Sequence, residues 1–109
     1  MTRRDGVVVC EECLVAATPL ARMRGLLGRR SLPSGQGILL RPAASIHTFF
    51  MRFSIDVVFL DDDLRVVGIE SDLRPWRAAG KRGARAVLEL PAGECARRNL
   101  RVGDLVRFA

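Results

Sequence analysis

Hydrophobic residues along this chain come in short runs broken by glycine, proline and clusters of aspartate. Val7-Val8-Val9-Cys10 reads as a strand, and Cys13-Leu14-Val15-Ala16 continues it or pairs with it. Thr18-Pro19 then has the chemistry of a helix start, with Thr at the N-cap and Pro at the first helical position. Leu20, Met23, Leu26 and Leu27 recur at helical spacing on one face, which predicts a helix ending near Gly28. Gly37 to Leu40 predicts a strand closed by Arg41-Pro42, Ile46 to Phe53 a second, and Asp56 to Leu60 a third. The aspartates 61 to 63 form a turn, and Leu64 to Ile69 is the return arm of a hairpin. Asp72 to Arg85 reads as a long loop, Ala86 to Leu90 as a strand, Glu94 to Asn99 as a short helix and Leu105 to Phe108 as the last strand.

This order, with hairpin-length connections and no repeating β-α alternation, predicts an α+β fold that is mostly β. The expected architecture is a small antiparallel sheet curled into a partial barrel, with one main helix packed against it. A chain of 109 residues supports one core, so residues 1–109 form one domain, its core within about 7–108.

Charge changes the picture modestly. Lys+Arg number 18 against 12 Asp+Glu, a net of +6, and Lys81 is the single lysine. Arginine forks suit phosphate or carboxylate, yet here they are spread along the chain with no aromatic ladder interleaved. The expectation is therefore against a nucleic-acid platform, which combines a basic groove with stacking rings. No stretch approaches the roughly 20 apolar residues that cross a bilayer. The apolar run at Val7 to Cys10 is too short for a leader core, so a cytoplasmic protein is expected.

The cysteines are Cys10, Cys13 and Cys95. Together with His47, the single histidine, they could in principle form one Cys3His zinc set. Two glutamates between the first two thiols disfavour thiolate, and that pair follows a strand-like run rather than opening a helix. Ordinary reduced cysteines are the expectation, with no metal and no cofactor.

Candidate chemistry gathers around His47. In one regular strand it would share a face with Phe49, Met51, Phe53 and Ile55, as a core or core-edge histidine. Asp56 opens one apolar run and Glu89 interrupts another, costly positions for a carboxylate unless it is paired, although either could face solvent from a half-wet sheet. Trp76, the single tryptophan, follows Arg74-Pro75 and either walls a pocket or covers the sheet. Arg22 could pair with either carboxylate or clamp an anion.

These residues also carry a resemblance. TPLARMRGLLGR from Thr18, GILL from Gly37, HTFFMR from His47, IDVVFLD from Ile55, PW from Pro75, VLELPAG from Val87 and VGD from Val102 occur in order over nearly the whole chain. In these it resembles a small bacterial and archaeal family, domain of unknown function 192. The resemblance implies a compact, mostly β domain with a packed helix and no settled activity. It marks Arg22, Gly25, Leu26, Phe50, Met51, Asp56, Glu89, Gly93, Gly103 and Asp104 as recurring positions. Leu64 stands where the hairpin turn of that family commonly has glycine, the Cys10/Cys13 pair is outside its pattern, and many of its members resemble exported proteins.

Three functions compete. The first is a ligand-binding module whose partly apolar pocket uses Arg22, His47, Met51, Asp56, Trp76 and Glu89 for a small molecule. The second is an accessory protein whose recurring polar residues hold turns. The third is a hydrolase-like enzyme with His47 as base and Asp56 or Glu89 as orienter, which lacks a recognisable nucleophile and so ranks last.

Overall fold

The computed structural model describes residues 6–10, 12–16, 32–49 and 51–108. The expected main helix from Thr18 to Gly28, and Arg22 with it, lies outside these residues. Nine strands and one short helix are described: β1 (Val7–Cys10), β2 (Glu12–Ala16), β3 (Gln36–Leu40), β4 (Ser45–His47), β5 (Ile55–Leu60), β6 (Val66–Leu73), β7 (Ala78–Gly80), β8 (Ala86–Pro91), α1 (Glu94–Arg97) and β9 (Val106–Phe108).

The central sheet runs in the order β2-β3-β8-β5-β6. Its β3, β8, β5 and β6 are antiparallel neighbours, while β2 joins β3 in parallel. Two smaller pairs flank it, β1 with β9 in parallel and β4 with β7 antiparallel. The mostly β reading therefore holds, with two parallel pairings that hairpin spacing could not show. None of the sheets formed by the described residues closes on itself.

Side-chain alternation divides the core into two layers. Val58 and Leu60 of β5 and Ala86, Leu88 and Leu90 of β8 pack with Val7 and Val9, Val106, Cys95 and Leu100. Ile55, Val57 and Phe59 of β5 and Val87 of β8 pack on the other side with Ile38, Ile46, Met51 and Leu73. The β1–β9 pair and α1 thus cover one face and the β4–β7 ribbon covers the other. With both faces covered, β5 is buried along its whole length and β8 nearly so, which explains their continuous apolar runs.

The β5–β6 hairpin is organised by Asp61, whose Oδ1 accepts the amides of Asp63 and Arg65, each at 2.9 Å. Leu64 sits there at φ 64, a left-handed backbone that glycine adopts freely, so the turn keeps its shape with leucine in the strained position. The segment before β9 docks on the same hairpin: Gly103 N donates to Val66 O and Val66 N to Asp104 O, both at 2.8 Å. At φ 97, Gly103 has the backbone that this docking requires.

Two expected elements are redrawn. Ile46 to Phe53 is not one strand, because β4 stops at His47. The Thr48 carbonyl accepts the amides of Met51 at 3.2 Å and Trp76 at 3.1 Å, which turns the chain out of the extended path. The expected loop from Asp72 to Arg85 contains the end of β6 and all of β7, whose Ala78, Ala79 and Gly80 pair with His47, Ile46 and Ser45.

Candidate functional site

The β4–β7 ribbon presents one side to solvent. Its small residues, Ser45, Ala78 and Gly80, together with His47 and Phe49, border an open cleft of about 540 Å³. A Cβ added at Gly80 would meet the Ser45 Cβ at 3.2 Å, so the ribbon can close this tightly only without a side chain there. His47 and Phe49 stack with ring centroids 4.7 Å apart, and Phe49 stacks on Trp76 at 5.7 Å. The Phe49 amide donates to His47 Nδ1 at 3.3 Å, which holds the imidazole against the Phe49 ring. Phe49 is 40% exposed and Trp76 55% exposed, unusual for rings of this size.

Thr48 holds this surface in place. It is fully buried, donates its hydroxyl to the Arg74 carbonyl and accepts the Arg77 amide at 2.9 Å. The segment between those two residues carries Trp76 at φ 65, a strained backbone for a bulky residue. Strain of this kind persists only where surrounding contacts over-determine it, as the Thr48 side-chain and backbone bonds to Arg74, Trp76 and Arg77 do.

The other side of the central sheet holds a buried polar group. Asp56 is 1% exposed; its Oδ1 accepts the Asp72 amide at 2.9 Å and its Oδ2 the Cys95 amide at 3.0 Å. Burial, then the charge and hydrogen bond of Asp56, then the charge of Glu94, push the Cys95 thiol up to about 12. It is therefore un-ionised at neutral pH and a poor nucleophile or metal ligand. Glu94 is buried beside it, with Arg97 Nε on Oε1 at 3.0 Å and Arg98 Nε on Oε2 at 2.9 Å. Burial alone would raise its pKa, but the hydrogen bonds and charges of Arg97 and Arg98 outweigh burial and hold the carboxyl below the ordinary glutamate value. Arg98 also donates to the Val8 carbonyl at 3.0 Å, tying α1 to β1.

The candidate residues thus fall in separate places. His47 and Trp76 come together through Phe49. Met51 is 4% exposed and packs in the core layer on that side of the sheet. His47 and Met51 do not share a strand face, because the turn at Thr48 separates them. Glu89 is fully buried and pairs with Val57 and Ile38, residues of the same layer as Met51. Asp56 pairs with Leu90 of the opposite layer, so the two carboxylates do not converge. Arg22 lies outside the described residues. For the four-ligand zinc set, Cys95 is in the layer on one side and His47 on the ribbon covering the other, and among the described residues no three His, Cys, Asp or Glu gather at one point. The side chains of Cys10 and Cys13 lie outside the description.

Sequence reasoning missed Phe49 as a surface ring, Thr48 as the clamp and Glu94 as a buried ion-pair centre. The TFF string beside the histidine was a signal for the first, masked by the assumption of a regular strand. Glu94 with arginines three and four residues later was a readable helix pairing.

Comparison with known proteins places this geometry. The sequence pattern of the family DUF192, described as "Uncharacterized ACR", matches residues 2–108. The chain belongs to this family. A UPF0127 protein of Thermococcus sibiricus is 39% identical over 109 residues, covering 95% of this chain and 70% of that protein. A UPF0127 protein of Pyrococcus abyssi is 46% identical over 66 residues, 60% of this chain and 56% of its own length. The chain thus accounts for little more than half of some of its relatives. A crystal structure of a protein of unknown function from Novosphingobium aromaticivorans is similar at a TM-score of 0.77 and 26% identity, covering 87% of this chain and 73% of that one. Membership of DUF192 brings the fold and no chemistry with it. Among the described residues no helix is long and apolar enough to cross a membrane.

Proposed function

We propose that this DUF192 protein is a small-molecule-binding module whose binding surface is the β4–β7 cleft. The observation that carries the proposal is the His47–Phe49–Trp76 stack, exposed at its rings and held from below by buried Thr48. Burying exposed rings under a ligand is favourable, and a pre-formed surface avoids the entropy of ordering them on binding. The cleft volume of about 540 Å³ lies in the range of small-molecule sites. In this reading His47 and Trp76 contact the ligand and Met51 backs the ribbon. Asp56 positions the segment leading to Trp76 through the Asp72 amide. Glu89, on the cleft side of the sheet, and Arg22 are the proposed polar fixtures. A cytoplasmic site of action belongs to the same reading.

A second reading, an accessory protein without a ligand, draws on Asp56 and Asp104, whose carboxylates bind backbone amides and hold turns. The two separate in one experiment. Trp76 is the single tryptophan and stacks on Phe49 of the cleft wall, so its emission reports on the cleft through that ring. Screening a diverse small-molecule library should yield compounds that change Trp76 emission and that Phe49→Ala binds about tenfold more weakly at unchanged melting temperature. A library that leaves Trp76 emission unmoved would transfer the weight to the accessory reading.

A further inference from the structure

Two clefts meet at Ala78. The first is the β4–β7 cleft with His47 and Phe49 on its wall. The second, of about 360 Å³, is lined by Glu70, Asp72, Leu73, Arg74, Arg77 and Ala78. Ala78 borders both and pairs with His47 across the ribbon. An aromatic wall therefore continues into a polar cleft whose cations, Arg74 and Arg77, flank Trp76 closely in sequence. Among the described residues neither arginine is paired with a carboxylate; Arg77 Nη1 donates to the Trp76 carbonyl at 3.3 Å.

Building on the binding reading above, we infer that the ligand is a planar aromatic ring bearing an anionic group, of the nucleoside monophosphate class. The ring lies against the His47–Phe49–Trp76 stack and the phosphate is held by Arg74 and Arg77. Stacking accepts any flat heteroaromatic face, and arginine forks match phosphate oxygens in pairs. Glu70 and Asp72 line the same cleft and repel an anion. They stand on β6, whereas the arginines stand on the segment leading into β7, so the phosphate is confined to the Ala78 end. The net charge of +6 favours encounter with an anion. A neutral sugar could cover the rings but would leave both guanidinium groups without a counter-charge. A nucleic-acid strand needs successive slots between rings, and here the three rings are already stacked on one another.

The test is a titration of the whole chain with adenosine monophosphate, adenosine, inorganic phosphate and a short oligothymidine, read by Trp76 emission. The monophosphate should bind about tenfold more tightly than adenosine, the increment of one charge-assisted contact. That margin should close in the Arg74→Ala/Arg77→Ala variant and at high salt, and should widen in Glu70→Gln, a second variant that is independent of the first. Equal binding of adenosine and its monophosphate overturns the inference. So does a silent monophosphate when an uncharged aromatic compound binds, an outcome that leaves the binding module standing. Oligothymidine binding far more tightly than the mononucleotide overturns it as well, in favour of strands. If no compound of any class moves Trp76 emission, the binding module falls, and this inference with it.

Discussion

Asp56 and Glu89 stand on neighbouring antiparallel strands, one residue out of register, and face opposite sides of the central sheet. Asp56 is opposite Leu90 and Glu89 opposite Val57, so each carboxylate is buried in a different core layer. A catalytic pair built from both would need them on one face. Their separation divides the polar residues of this protein between two tasks, and the consequences can be measured.

Asp56 holds two backbone amides from the far ends of other elements. Removing both acceptors in Asp56→Ala should lower stability by about 3 kcal/mol, because the Cys95 amide is left buried without its partner. Asp56→Asn keeps one carbonyl oxygen and should cost about half as much. Urea unfolding gives both values. A near-neutral alanine variant would mean that water replaces the carboxylate.

Thr48 clamps the segment that carries Trp76. Thr48→Val keeps the shape and deletes the hydroxyl, so it should destabilise by about 1–2 kcal/mol and shift Trp76 emission. Thr48→Ser retains donor and acceptor and should restore the wild-type spectrum. Emission identical in the valine variant would show that the strained Trp76 backbone has another support.

Glu94 sets an acid limit on stability. Its folded pKa is depressed, so its contribution is present above the unfolded value of about 4.3 and is lost as pH falls through the folded value. Because Arg97 is largely exposed and screened, the pair with half-buried Arg98 dominates, and Glu94→Gln should cost about 1–2 kcal/mol at neutral pH. The gap between wild type and variant should shrink as pH drops below the glutamate range. A gap independent of pH would assign the effect to packing.

Cys95 sets a limit at the alkaline end. Its folded pKa is raised to about 12, so its contribution is full below the unfolded value of about 8.5 and fades as pH rises towards the folded one. Iodoacetamide at neutral pH should leave Cys95 unmodified in the folded protein and label it after denaturation, as peptide mass spectrometry will show. Rapid labelling of the native chain would contradict both its burial and its un-ionised state.

Much of the fold was legible because its signals are local. Alternation and apolar runs located β3, β5, β8 and the hairpin at Asp61, and the Pro91-Ala92-Gly93 turn announced α1. The parallel pairing of β1 with β9 was not legible, since it joins residues from the two ends of the chain and leaves no mark on spacing. His47 was assigned a core face by counting in twos, and that counting fails where Thr48 spends its carbonyl on a turn.

The sequence by itself determined that Asp56 and Glu89 lie within apolar runs, where a carboxylate is costly unless it is paired or faces solvent, and it left that choice open. It also determined the mostly β character and the short helix after Gly93. Only the tertiary structure decided which sheet face each carboxylate meets, and that His47, Phe49 and Trp76 form one exposed stack. Those relationships arise from pairing between strands distant in the chain, and a local pattern holds no information about a partner it has not yet met.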